Sequence, residues 1–131
     1  MRSVIAVLLL VACGGPKRVY EGPKLPRNEV CIVEIDSGMI GDDEKWEARL
    51  ARYDGVPTRH RRKQIEILPG EHTFDVSWTH SELLASGRPT WMEIGSGSVE
   101  MAFELRVGFR YVLFWIGGDQ PLRFRERPLE P

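Results

Sequence analysis

Little in this sequence could build a chemical site. Cysteine occurs twice in 131 residues, at Cys13 and Cys31, and histidine three times, at His60, His72 and His80. No two histidines stand three or four residues apart, and no cysteine pair accompanies them, so zinc-site spacing is missing. The acidic run Asp42-Asp43-Glu44 lacks the graded spacing and the glycine of a calcium loop. There is no Gly-x-Ser-x-Gly elbow, no glycine loop to cradle a phosphate and no dinucleotide fingerprint. Asp75, Ser77 and His80 lie close together, but Asp75 and Ser77 fall on one strand face, whereas a hydrolytic triad converges from separate elements. An excess of charge is also absent. Eighteen basic and 19 acidic groups leave a net charge of −1, which gives no global field to attract nucleic acid. The apolar run over residues 4–12 is shorter than the roughly 20 residues that a bilayer-spanning helix needs. The expectation is a protein that is not an enzyme, with no metal, no cofactor and no nucleic-acid partner.

Proline and glycine are plentiful, at nine and 13, and they punctuate short alternating runs. Ile65 and Ile67 alternate with polar residues. After Pro69-Gly70, Phe74, Val76 and Trp78 alternate with Thr73, Asp75 and Ser77. A period of two marks strands with one buried face, and Pro-Gly supplies the turn dihedrals that reverse a chain. The same pattern returns in Val99, Met101, Phe103 and Leu105, then a turn at Arg106-Val107-Gly108, then Phe109, Tyr111, Leu113 and Trp115. Both pairs read as hairpins. Val112 and Phe114 make the second face of the later strand apolar, so it is expected to be interior to a sheet. Cys31, Val33 and Ile35 share one face of a strand whose other face carries Val30 and Ile32, which predicts a central strand. Cys31 reads as a core residue, because cysteine packs as a small hydrophobe. Leu122 and Phe124 between Arg123, Arg125 and Arg127 predict an edge strand blunted by charge. The chain is long enough to bury a core without staples. The predicted class is all-β, a small antiparallel β-sandwich of Ig-like or PEGA-like kind.

The N-terminus has a separate logic. Arg2 precedes the apolar run, which ends in Leu10-Val11-Ala12-Cys13-Gly14-Gly15. A basic start, a short apolar core and a small residue before the cut describe a secretory signal. Leu10-Val11-Ala12-Cys13 resembles the lipobox of bacterial lipoproteins. The resemblance implies cleavage before Cys13 and a covalent lipid on Cys13, whose several acyl chains hold a membrane stably. Gly14, with no Asp in that place, implies the outer membrane, the domain facing the periplasm. With Cys13 acylated, no intramolecular disulfide is expected. Residues 1–12 are then the signal, 13–28 a lipidated and flexible tether, 29–127 the β-sandwich and 128–131 a tail.

Two stretches resist a single reading. Residues 42–53 fit a helix capped by Asp42, with Trp46, Leu50 and Tyr53 on one side, or a strand ending at Asp54-Gly55. The strand is preferred. Residues 79–98 read mostly as loop, with a helical turn near residues 81–86, a break at Gly87-Arg88-Pro89 and a flexible point at Gly95-Ser96-Gly97. Trp91 and Met92, between these breaks, either plug the open end of the sandwich or form an exposed contact patch; the plug is preferred.

The order of elements, with Leu68-Pro69-Gly70-Glu71-His72 and Gly108-Phe109-Arg110-Tyr111, resembles small PEGA-type envelope domains and uncharacterised lipoproteins of similar layout. That implies a β-sandwich and no catalytic residues. The functional expectation is a binding or structural role, accessory to an envelope protein assembly, with Trp46, Trp91 and Met92 as partner-contact candidates. The alternative is a module for anionic envelope polymer or lipid. Its ligand-binding candidates are Arg52 and the run Thr58-Arg59-His60-Arg61-Arg62-Lys63, that is Arg59, Arg61, Arg62 and Lys63.

Overall fold

The structure is a computed structural model and describes residues 16–35, 37–58, 63–84 and 88–129. Ten strands follow one another: β1 (Lys17–Arg18), β2 (Cys31–Glu34), β3 (Gly38–Ile40), β4 (Glu44–Tyr53), β5 (Val56–Pro57), β6 (Gln64–Ile67), β7 (Gly70–Leu84), β8 (Thr90–Leu105), β9 (Phe109–Trp115) and β10 (Leu122–Pro128). One 3-10 turn, Arg27–Glu29, is the helical element among the described residues. The strands form two mostly antiparallel sheets. The first has the order β1-β6-β2-β9-β10; the second runs β3-β4-β7-β8, with β5 on β4. The chain is all-β and sandwich-like, as its alternation predicts.

The core forms where the inward positions of the two sheets meet. Cys31, Val33, Ile35, Ile65, Ile67, Tyr111, Leu113 and Leu122 come from the first sheet, and Trp46, Leu50, Phe74, Val76 and Leu105 from the second. Phe74 meets Phe124 edge-on at 5.6 Å, and Phe103 meets Tyr111 at 5.3 Å, the tilted geometry that aromatic quadrupoles favour. Strand β2 is central, antiparallel to β6 and parallel to β9. Residues 44–53 are strand, and β10 is an edge of its sheet.

The structure corrects the connectivity. Strands β6 and β7 do not pair: β6 bonds to β2 and β1, whereas β7 bonds to β4 and β8. Leu68-Pro69-Gly70, with Gly70 at φ +123°, is therefore an arch that carries the chain from one sheet to the other. The turn between β8 and β9 does the same. Alternation says that Ile65, Ile67, Phe74 and Val76 all enter one core. It does not say whether they do so side by side in one sheet or face to face across two.

The stretch read as loop is the real hairpin. Strands β7 and β8 pair from Gly70↔Leu105 out to Leu84↔Thr90, with a bulge at His80/Ser81. At about 3.4 Å per residue, fifteen residues reach roughly 50 Å. The strands of the opposite sheet have at most seven residues. Gly97, expected to be flexible, lies inside β8 because Trp78 packs on it: a Cβ there would stand 2.9 Å from the indole. A glycine in a strand often marks such close approach. Gly38 is held likewise, since its Cβ would meet Trp46 Nε1 at 2.7 Å.

Residues 16–28, assigned from the sequence to the tether, lie against the first sheet. Lys17 and Arg18 pair with Ile65 and Glu66 of β6. Glu66 is 5% exposed on the outer face. Its carboxylate accepts hydrogen bonds from Tyr20 Oη at 2.5 Å and Lys24 Nζ at 3.1 Å, and Tyr20 Oη accepts one from the Leu25 amide. A buried carboxylate is costly without such partners, so Glu66 acts as a clasp for the segment.

Candidate functional site

The second sheet has two ends with different surroundings. At one end, Phe74, Val76, Val99, Met101 and Phe103 are packed into or against the core. Toward the other, aromatic rings close the sandwich. Trp46 and Trp115 stack at 6.3 Å, Trp78 meets Trp115 edge-on at 5.4 Å, and His80 lies 5.1 Å from Trp115. His80 Nε2 sits 3.4 Å from Glu44 Oε1 and is buried without a hydrogen bond.

Beyond that aromatic wall, none of the described residues between Ser81 and Ile94 joins the core. The sheet continues as a blade. Pairing keeps it regular: Glu44 opposes Glu82, Lys45 opposes Ser81, Leu83 opposes Trp91, and Met39 of β3 opposes Lys45. The register gives each face its side chains. One carries Met39, Lys45, Leu83, Trp91 and Glu93; the other carries Glu44, Glu82, Leu84 and Met92. Met39, Leu84, Trp91, Met92 and Ile94 are all exposed. Lys45 Nζ stands 4.5 Å above the Trp91 ring and 3.0 Å from Glu47 Oε1.

The candidates from the sequence separate here. Trp91 and Met92 do not plug the sandwich; they lie out on the blade, because the plug position belongs to Trp46, Trp78 and Trp115. Trp46, only 6% exposed, is unavailable to a partner. Arg52 is exposed on β4 opposite Asp75, and Lys63 is exposed just before β6. Arg59, Arg61, Arg62 and the lipidation candidate Cys13 lie outside the described residues. Sequence reasoning missed Met39, Leu84 and Ile94. Each looks like an ordinary strand or loop hydrophobe, and only the unequal strand lengths expose it.

The remaining polar groups hold the fold. Cys31 is buried and its thiol donates to the Arg106 carbonyl at 3.0 Å. Burial, with a smaller contribution from the charge of Glu126, pushes this thiol up to about 11, so it stays protonated and weakly nucleophilic at neutral pH. Arg106 grips the Glu126 carboxylate through two nitrogens, and Tyr111 Oη donates to the same group at 2.7 Å. These bonds, chiefly the one from Arg106, hold the Glu126 carboxyl below its ordinary range. His72 bridges two turns: its Nδ1 lies 2.5 Å from Asp54 Oδ2, and its Nε2 lies 2.8 Å from the Leu68 carbonyl. Asp54, at φ +50°, also accepts from the Thr73 amide at 2.9 Å. Among the described residues, no three or more His, Cys, Asp or Glu side chains group as metal ligands.

No family model, curated protein or solved structure matches this chain.

Proposed function

We propose that this chain is a lipid-anchored protein of the bacterial envelope with a non-catalytic role, and that the blade of β7 and β8 docks on a protein partner. The observation that carries the docking is exposure of Trp91, Met92, Leu84 and Ile94 together at one sheet end. Contiguous exposed apolar surface marks interaction sites. Tryptophan is enriched among the few residues that dominate interface energy. Apolar side chains on both faces favour a partner that grips the blade rather than one that lies on a single side. The anchor rests on Leu10-Val11-Ala12-Cys13 and on the short apolar run before it.

The two parts have separate tests. The mass of the N-terminal peptide from membrane-purified protein reads the anchor, beside a Cys13→Ala variant. A peptide beginning at Cys13 with acyl mass added supports it, and an unmodified Cys13 in a cytosolic protein rejects it. Docking is read by site-specific photo-crosslinking from position 92. One discrete adduct in cells is expected, lost on Trp91→Glu while the circular dichroism spectrum stays unchanged. An adduct that survives Trp91→Glu would reject the blade as the contact.

A further inference from the structure

The outer face of the first sheet carries a row of arginines toward its β10 edge, with Glu34 of β2 on the same face beside Val112. On β10, Arg123, Arg125 and Arg127 alternate outward between Leu122, Phe124 and Glu126. On β9 the same face shows Arg110, Val112 and Phe114. Register sets Arg127 directly opposite Arg110, and Arg125 opposite Val112. Like charges directly opposed on adjacent strands destabilise a sheet. Arg110 Nε is buried and makes no hydrogen bond. Arg125 lies 4.6 Å above the Phe114 ring. None of Arg110, Arg123, Arg125 and Arg127 forms an ion pair with a described residue. The same row continues across the sheet through Ile32 to Glu66 and Arg18. Glu66, whose carboxylate Lys24 and Tyr20 already hold, offers little to the arginines.

The N-terminal segment leaves from this face. Pro16 lines a hollow of about 280 Å³ with Lys24, Leu25, Arg27, Ile32 and Glu66. Cys13 is three residues upstream, and three residues span at most about 10 Å. A lipid on Cys13 therefore holds the β1 edge of this face at the bilayer. Strands β9 and β10 lie three and four strands away in the same sheet, roughly 14–19 Å at about 4.8 Å per strand. They reach the surface when this face lies flat on it.

We propose that the arginine face of β9 and β10 seats the domain on an anionic membrane surface, with the guanidinium groups on lipid phosphates and Phe114 at headgroup level. The proposal rests on the lipid-anchor reading above. Continuity with the anchor selects a bilayer over other polyanions. Arginine suits the contact because its planar fork binds phosphate through two donors. Attraction to an anionic leaflet amounts to about fivefold in partition for each cation near the surface. The opposed Arg127–Arg110 pair is then a cost in the free domain that headgroup phosphate relieves. The second sheet, with its blade, faces away from the membrane.

The test uses the purified full-length product as cells make it, in nanodiscs of phosphatidylcholine alone or with phosphatidylglycerol. Hydrogen exchange of residues 109–128 is the readout. Exchange slowed by roughly fivefold or more in the anionic discs is expected, with the slowing lost in high salt. Arg123→Gln/Arg125→Gln/Arg127→Gln should abolish it, and the corresponding triple lysine variant should keep most of it. Equal exchange in the two disc types, with acyl mass present on Cys13, overturns the arginine face and leaves the anchor standing. An unmodified Cys13 in the same sample removes the anchor and overturns both. Protection by a single-stranded oligonucleotide but not by anionic discs would assign the face to another polyanion and overturn the membrane contact.

Discussion

The two ends of the β7–β8 hairpin are made of the same kind of ladder and have opposite physical roles. Near Gly70 and Leu105, the inward side chains meet a second sheet, and Phe74 and Val76 are fully buried. Beyond the bulge at His80/Ser81 the ladder runs on, but Leu84, Trp91, Met92 and Ile94 are exposed. Hydrogen bonds are therefore not what distinguishes core from blade. The difference is what stands opposite. Burial of apolar area dominates stability, so the proximal end stabilises the domain, whereas the distal end keeps its apolar side chains exposed.

Substitutions sharpen this contrast. Phe74→Ala at the proximal end should cost about 3–5 kcal/mol, the range for truncating a buried Phe. Trp91→Ala, an equally drastic change on the blade, should cost about 1 kcal/mol or less, chiefly its contact with Lys45. Urea unfolding compares the two, and equal losses would mean that the blade is part of the core after all. At the boundary, Gly97→Val should lose roughly 1–3 kcal/mol, as overpacking does, since the new side chain meets Trp78. An unchanged midpoint there would show that the indole has room to move.

The smallest effect concerns pH. Glu126 closes the proximal end through Arg106, in the β8–β9 arch, and Tyr111. Its folded carboxyl lies below the ordinary value of 4.5. The stabilisation it contributes is present above that value and is lost as pH falls through the folded one. Glu126→Gln should therefore flatten the acid limb of a stability profile while leaving the neutral limb parallel to wild type. Exchange at residues 81–94 should not respond to this substitution. A matching response at both ends would show that they open together.

How much was legible varies by residue. Period-two alternation located Ile65, Ile67, Phe74, Val76, Val99, Met101, Phe103, Leu113 and Trp115 on inward faces, because side-chain direction along a strand is a local property. Cys31 and Val33 in a central strand followed from apolar residues on both faces. Local signals failed where partners lie far away in the chain. Pro69-Gly70 carries the same turn chemistry in a hairpin and in an arch, and here it changes sheets. Gly95-Ser96-Gly97 has the composition of a flexible loop, yet Gly97 is strand because Trp78 occupies the space a side chain would need. Residues 16–28 look like a tether, and Glu66, 38 or more residues downstream, holds them through Tyr20 and Lys24. The arginines of β10 were legible as an edge strand; that Arg127 faces Arg110 was not, because register belongs to the pairing of two strands.

The sequence by itself determined the strands that line the core and their buried faces, the all-β class and the lipobox-like start, but not the outer ends of β7 and β8 or strand β1. Each depends on neighbouring residues, through the two-residue period of a strand and the dihedral limits of proline and glycine. Only the tertiary structure decided which strands pair, which turns are arches, where one sheet outruns the other, and which exposed side chains collect on one face. Those features depend on contacts between distant segments and on the mismatch in length between two sheets, which no local pattern of residues encodes.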